Sequence, residues 1–185
     1  LFFFSDQHHG RYTGYAGHEV VETPNLDRIA ENGTAFDAAY TGCPLCVPGR
    51  SAMLTGQLPS RMSIFNNAGI IPGDHATFLH SLGARGYETV LCGRMHFKGA
   101  DQRHGFSRRI FDDITHAFRG GIQGLGYYRG TVGMGGCVDL TGGGNSPVLE
   151  YDRHVVQRGL EYLQEDHDKP QCIVLGTYGP HFPYI

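Results

Sequence analysis

Apolar and polar residues along this chain fall into alternating blocks with different periods. Leu1-Phe2-Phe3-Phe4 is an unbroken apolar run that passes through Ser5 to Asp6-Gln7, as expected where a buried strand meets a loop. Thr23-Pro24-Asn25 then predicts a helix start, because threonine can cap and proline suits the first helical position. Leu26, Ile29 and Ala30 supply its apolar face, and Gly33 its stop. Thr34 to Tyr40 reads as a short strand. Phe78, Leu79 and Leu82 have helical spacing, closed by Gly86. Tyr87 to Cys92 is β-rich and ends at Gly93, with Arg94-Met95-His96 just beyond. Asp152 to Glu165 predicts a helix with Val155, Val156, Leu160 and Leu163 inward. Cys172 to Leu175 predicts a buried strand followed by Gly179-Pro180-His181.

Alternating strands and helices imply an α/β fold, a layered and largely parallel sheet with helices on both faces. Three strands end in polar residues, at Asp6, His96 and His181. In an open α/β sheet such residues converge on one edge, the carboxyl edge where ligands bind. Glycine is abundant from Gly120 to Gly144, which predicts a long loop. Within it G-L-G-Y-Y-R-G is a poor dinucleotide fingerprint, since no strand precedes it.

Composition narrows the class. The chain has 185 residues, 40% hydrophobic and 18% charged, enough for one well-buried domain or part of a larger one. A net charge of -3 gives no electrostatic footprint for nucleic acid. No apolar run is long enough to span a bilayer. Leu1 to Phe4 has neither a basic region before it nor a cleavage site after it, so it reads as a strand and not a signal peptide. A cytoplasmic location is therefore favoured, although both termini look trimmed. Five cysteines, of which only Cys43 and Cys46 are close, do not suit a small secreted disulfide scaffold.

Those two cysteines open the segment C-P-L-C-V-P-G-R-S-A-M-L-T-G at 43–56. On residue type alone three chemistries compete: a redox pair before a helix, half of a zinc site, or a single cysteine that becomes a nucleophile. A zinc site would need further ligands at usual spacing, which the sequence does not supply.

Cys46-Val47-Pro48-Gly49-Arg50 with Leu54-Thr55-Gly56 resembles the signature of the sulfatases, C-x-P-x-R followed by a short apolar stretch and T-G. Gln57-Leu58-Pro59-Ser60-Arg61, Gly93-Arg94-Met95-His96-Phe97 and D-Q-x-H-G-F at 101–106 resemble the choline-sulfatase and phosphonate-monoester-hydrolase branch. The resemblance runs from Asp6 to His181 and implies an alkaline-phosphatase-like fold. Residues 1–185 would form the N-terminal part of a catalytic domain that is incomplete C-terminally. It also implies hydrolysis of a small-molecule sulfate ester, with phosphonate monoesters or phosphodiesters as the alternative, or an inactive fragment that only binds anions. In that family the cysteine is oxidised to formylglycine by a formylglycine-generating enzyme or an anaerobic maturase. This makes Cys46 the nucleophile precursor.

By the same resemblance, Asp6 is the first metal carboxylate and shares the ion with the modified Cys46. Calcium is expected before magnesium or manganese, as hard oxygen ligands suit such ions. Arg50 supplies a permanent cation with a planar fork for oxyanions. His96 contacts the nucleophile or leaving group, and His181 protonates the leaving oxygen. Arg94 occupies the place where the family usually has lysine, and with Asn67 it contacts substrate. Cys43, Cys92, Cys137 and Cys172 are ordinary thiols, and His8 and His9 solvated loop residues. Neither a nucleic acid nor a membrane is expected as a partner, and a homo-oligomer is compatible. The remaining metal ligands are expected downstream.

Overall fold

A computed structural model describes residues 1–114, 141–182 and 184. Most of the predicted glycine-rich loop, with Cys137 and the G-L-G-Y-Y-R-G run, lies outside the described residues. The chain order is β1 (Phe2–Phe4), α1 (Pro24–Asn32), α2 (Cys46–Thr55), α3 (Pro59–Met62), α4 (Phe78–Ala84), β2 (Glu88–Gly93), β3 (Arg108–Phe111), α5 (Pro147–Leu163) and β4 (Gln171–Gly176). The four strands form one sheet in the order β1-β4-β2-β3, and every pairing is parallel. No helix among the described residues is long and apolar enough to cross a membrane.

The side-chain period of two divides each central strand between two cores. Leu91 of β2 and Val174 of β4 join Val47, Leu54, Leu79 and Phe106 on the face covered by α2 and α4. Their neighbours Val90, Cys92, Ile173 and Leu175 face the other way, against Val148, Tyr151, Val155 and Tyr162 of α5. Helices thus cover both faces, and the carboxyl ends of all four strands point the same way.

Five local expectations are corrected. Leu1 to Phe4 does form a strand, but at the sheet edge. It pairs only with β4 among the described residues, and Phe2 and Phe3 remain exposed. Thr34 to Tyr40 forms no strand and is exposed throughout, since no described neighbour offers it a ladder. In α1 no residue is buried and Ile29 is exposed. Thr23 does not cap the helix; its hydroxyl donates to Asp27 Oδ1 at 2.8 Å. In α5 the inward face is Val148, Tyr151, Val155, Gly159 and Tyr162, whereas Val156, Leu160 and Leu163 point outward. There the aromatic side chains and the small Gly159 fit the sheet, and periodicity alone could not rank the two apolar stripes.

Two glycines make the functional edge possible. Gly93 and Gly176 are paired opposite one another where β2 and β4 end. Gly93 has φ +88, and a Cβ there would strike the Gly176 carbonyl oxygen; a Cβ at Gly176 would strike the Arg94 carbonyl. The backbones can therefore close to an Arg94 N–H to Gly176 O bond of 2.8 Å. Gly176→Ala should destabilise the full-length protein by about 1–3 kcal/mol, the usual cost of overpacking. Gly83→Ala, in a helix with nothing within 4 Å of its Cβ position, should be neutral or stabilising by about 0.5–1 kcal/mol. Urea unfolding of both variants checks this, and equal effects would contradict the crowding at Gly176.

Candidate active site

Cys46 is the first residue of α2, entered from Leu45 in an extended conformation. Proline at position 48 falls in the first turn, where its missing N–H leaves no intrahelical bond unmade. The N–H of Val47 is satisfied from outside the helix, by Asn67 Oδ1 at 3.0 Å. Asn67 therefore anchors the helix start beside Cys46. Arg50 lies four residues on, on the same face as Cys46.

Arg50 and Arg94 converge on Asp6. Arg50 Nη2 lies 3.3 Å from Asp6 Oδ1 and Arg94 Nε 2.6 Å from Asp6 Oδ2, with all three residues buried. Arg50 also donates from Nη1 to the Arg94 carbonyl at 3.0 Å. Aromatic rings flank both cations: Arg50 stands 4.5 Å from the Phe4 ring centroid, and Arg94 4.6 Å from that of Tyr178. Burial and the neighbouring Arg94 lower the Arg50 pKa, partly offset by Asp6. At Arg94 burial pulls the same way, but Asp113 and Asp6 outweigh it and the pKa rises. Arg94 Nη2 reaches Cys46 Sγ at 3.8 Å, while its Nη1 is buried with no hydrogen-bond partner among the described residues. A buried guanidinium nitrogen in that state would gain from a hydrogen-bond acceptor.

The two histidines hold opposite tautomers. His96 Nδ1 lies 3.0 Å from Arg94 Nη2. Guanidinium can only donate, so Nδ1 accepts and the proton sits on Nε2. Burial, reinforced by Arg94, lowers the His96 pKa to about 3, so the ring is a neutral donor. His181 Nδ1 lies 2.7 Å from the Phe182 carbonyl oxygen. A carbonyl only accepts, so Nδ1 carries the proton and Nε2 is left to exchange one with the site. Burial lowers this pKa as well, against the raising effect of the Phe182 carbonyl and Asp6.

Asp6, Cys46 and His181 each place one potential ligand atom within 4.8 Å of the others. Six of the seven residues selected from the sequence, Asp6, Cys46, Arg50, Arg94, His96 and His181, thus form one connected cluster, and Asn67 supports the helix on which Cys46 sits. Of the thiols taken as ordinary, Cys92 is buried and Cys43 and Cys172 partly so, all three unpaired. His8 is half-buried, its Nε2 3.1 Å from the Tyr12 carbonyl, while His9 is exposed. Sequence reasoning missed Tyr178, whose only signal was its place between a strand end and His181. It also missed Asp113 and Asp152, which carry no motif.

The profile of the Sulfatase family matches residues 1–185. The chain is 31% identical over 202 residues to the choline-sulfatase of Rhizobium meliloti (strain 1021), covering 100% of this chain and 38% of that protein. It is 34% identical over 192 residues to an N-acetylglucosamine-6-O-sulfatase of Bacteroides thetaiotaomicron, covering 98% of this chain and 30% of that one. It therefore spans about a third of the length of these curated relatives. The phosphonate monoester hydrolase of Agrobacterium radiobacter superposes with a TM-score of 0.73 at 19% identity, over 99% of this chain and 41% of the other. A structure solved in complex with its substrate D-glucosamine-2-N,6-O-disulfate gives 0.73 at 24% identity, over 97% of this chain and 34% of the other. These superpositions show the shared alkaline-phosphatase-like fold.

The low His96 pKa has a measurable consequence. The unfolded imidazole, near pH 6.5, binds a proton that the folded one refuses until about pH 3. This ring therefore favours the unfolded state increasingly as pH falls from about 6.5 toward 3. In the full-length protein His96→Gln should flatten that part of the stability–pH curve. Urea midpoints taken between pH 7 and pH 5 test this, and parallel curves for the two proteins would show that His96 is not held neutral.

Proposed function

The chain belongs to the sulfatase family, and from that premise we propose that it supplies the nucleophile and anion pocket of a sulfuric ester hydrolase acting on a small-molecule sulfate ester. The observation that carries this reading is the seat of Cys46, at the N-terminus of α2 with Arg94 Nη2 3.8 Å from its sulfur. The positive end of the helix dipole favours an anion there.

Sulfatases use a metal ion and a formylglycine made from the signature cysteine. The residues present fit both in part. Cys46 is half-buried and unpaired, so it can be modified, and oxidation replaces its soft sulfur with the oxygen that a hard cation takes. Asp6 and the modified Cys46 would hold a divalent cation, calcium before magnesium or manganese, and the rest of its oxygen ligands must come from outside the described residues. Such an ion polarises the ester and lowers the pKa of the nucleophile.

The chain's own groups have distinct tasks. Arg50 and Arg94 neutralise the bound anion, with Arg94 Nη1 free to hydrogen-bond one of its oxygens. His96, neutral, donates from Nε2 to another. His181 in its protonated form donates from Nε2 to the leaving oxygen, and its fixed Nδ1–H on the Phe182 carbonyl keeps the ring aimed. Because burial lowers its pKa, that acid form is lost at a lower pH than in a free imidazole. Tyr178 closes the floor under Arg94 and keeps water from the guanidinium face.

Cleavage of phosphonate monoesters or phosphodiesters is the second reading, favoured by the fold shared with a phosphonate monoester hydrolase. Rates on an aryl sulfate and an aryl phosphonate rank the two for the metal-loaded full-length enzyme co-expressed with a formylglycine-generating enzyme. No turnover of either would leave only anion binding. Peptide mass mapping of residues 43–56 should find the aldehyde at Cys46. A formylglycine hydrate has one hydroxyl to attack sulfur and another to expel sulfate, whereas serine has one. Cys46→Ser should therefore lose turnover by at least about a hundredfold, as removal of a nucleophile does, while Cys43→Ser stays active. Equal damage from both, with a Cys43–Cys46 disulfide, would restore the redox alternative.

A further inference from the structure

Two carboxylates outside the anion pocket grip the two turns that carry its histidines. Asp113 Oδ2 accepts from the backbone N–H groups of Met95 and His96, at 2.9 and 2.5 Å. These bonds fall where the chain leaves β2 and His96 takes a left-handed φ of +58, a conformation that costs energy in a residue other than glycine. Asp152 does the same after β4. Its Oδ1 accepts from Tyr178 N at 2.6 Å and its Oδ2 from Gly179 N at 2.7 Å. A Cβ at Gly179 would lie 2.8 Å from Asp152 Oδ2, so glycine is what lets the carboxylate come this close. The two grips meet on α5, where the neighbouring Tyr151 donates its hydroxyl to the Asp112 carbonyl at 2.8 Å. Tyr151 is fully buried and packs against Phe111, ring centroids 5.6 Å apart.

We propose that Asp113 and Asp152 are positioning residues that set His96 and His181 for the reaction, with one turn of α5 as their common anchor. Neither carboxylate is assigned to substrate. Each satisfies two consecutive N–H groups of a strand-exit turn, which would otherwise be free to rotate its histidine. Asp152 acts on His181 across Gly179 and Pro180. The task of His181 is to follow the breaking S–O bond: as the nucleophile at position 46 bonds to sulfur, the electron pair of the ester bond goes to the leaving oxygen, the Nε2 proton joins it, and a neutral imidazole remains. Geometry decides the efficiency of that transfer, since a misplacement of about 1 Å can cost about a hundredfold.

The inference rests on the acid role given to His181, and leaving-group dependence tests the two separately. A nitrophenyl sulfate departs without an acid, whereas an alkyl sulfate needs the proton. In the matured full-length enzyme Asp152→Asn keeps the side-chain shape but turns an amide NH2 toward a backbone N–H. It should lower the alkyl-to-nitrophenyl ratio of kcat by about tenfold or more, within the range that general acids contribute. His181→Ala should lower it at least as far. Gly179→Ala, which pushes on the same contact from the loop side, should move the ratio in the same direction. Faster amide hydrogen exchange at Tyr178 and Gly179, with the Val90 and Val174 amides unchanged, is the accompanying expectation. If His181→Ala shifts the ratio and Asp152→Asn lowers both substrates equally, Asp152 merely supports the fold and the proposal falls. If His181→Ala leaves the ratio unchanged, its acid role falls instead. Slow exchange at Tyr178 and Gly179 in Asp152→Asn would then overturn the positioning claim, and fast exchange would sustain it.

Discussion

The architecture of this chain turns on a buried charge cluster in which two arginines share one directly paired carboxylate. Removing a guanidinium from water costs several kcal/mol that an imperfect ion pair does not recover. Asp6 therefore cannot by itself account for burying both Arg50 and Arg94. The faces of Phe4 and Tyr178, the Arg94 carbonyl and the field of Asp113 supply the rest. Such a cluster is poor material for stability. It is good material for holding an anion, because a cation that is dehydrated and incompletely paired gains most from a third, negative partner.

Everything around the cluster serves to bring these groups to one edge without blocking it. Parallel strands align their carboxyl ends, so Asp6, Arg94 and the Tyr178–His181 segment leave the sheet in the same direction. The Gly93–Gly176 crossing lets two of those exits approach closely. Helix α2 brings its N-terminus to the same edge and is held there by a side chain 20 residues away, Asn67. On the opposite face α5 anchors both histidine turns. Each helix layer thus contributes to function through one end or one polar stripe, and to folding through the rest of its surface.

Much of this was legible in the sequence, and what was not has a physical cause. The strand ends at Asp6, His96 and His181 could be placed because a change from apolar to polar residues marks where a strand leaves the core. Cys46 and Arg50 could be placed because a signature holds them four residues apart. The inward face of α5 could not, since both of its stripes contain apolar residues and only contact with the sheet selects Tyr151, Val155 and Tyr162. The strand expected at Thr34 to Tyr40 failed because only Thr34, Phe36 and Tyr40 favour a strand, Asp37 and the three alanines do not, and no described strand pairs with it. Asp113 and Asp152 were invisible because their partners are backbone N–H groups distant in sequence, and no pattern of residue types records that.

Arg94 shows why the chemistry of the site cannot be carried over from a motif unchanged. The resemblance places lysine here, a compact ammonium with three equivalent donors. The guanidinium instead has nitrogens fixed in a plane, and this structure gives them different neighbours: Nε meets Asp6, Nη2 faces His96 and the Cys46 sulfur, and Nη1 has no hydrogen-bond partner among the described residues. Lysine could not serve all of these directions from one nitrogen. Because guanidinium has no lone pair to accept a proton, it also forces His96 into the tautomer that presents Nε2–H. An ammonium would impose the same tautomer, so what arginine adds is the planar fork that meets Asp6, His96 and the Cys46 sulfur at once. Nη1 and the His96 Nε2–H, two of the donors proposed for an oxyanion, both follow from this one arginine.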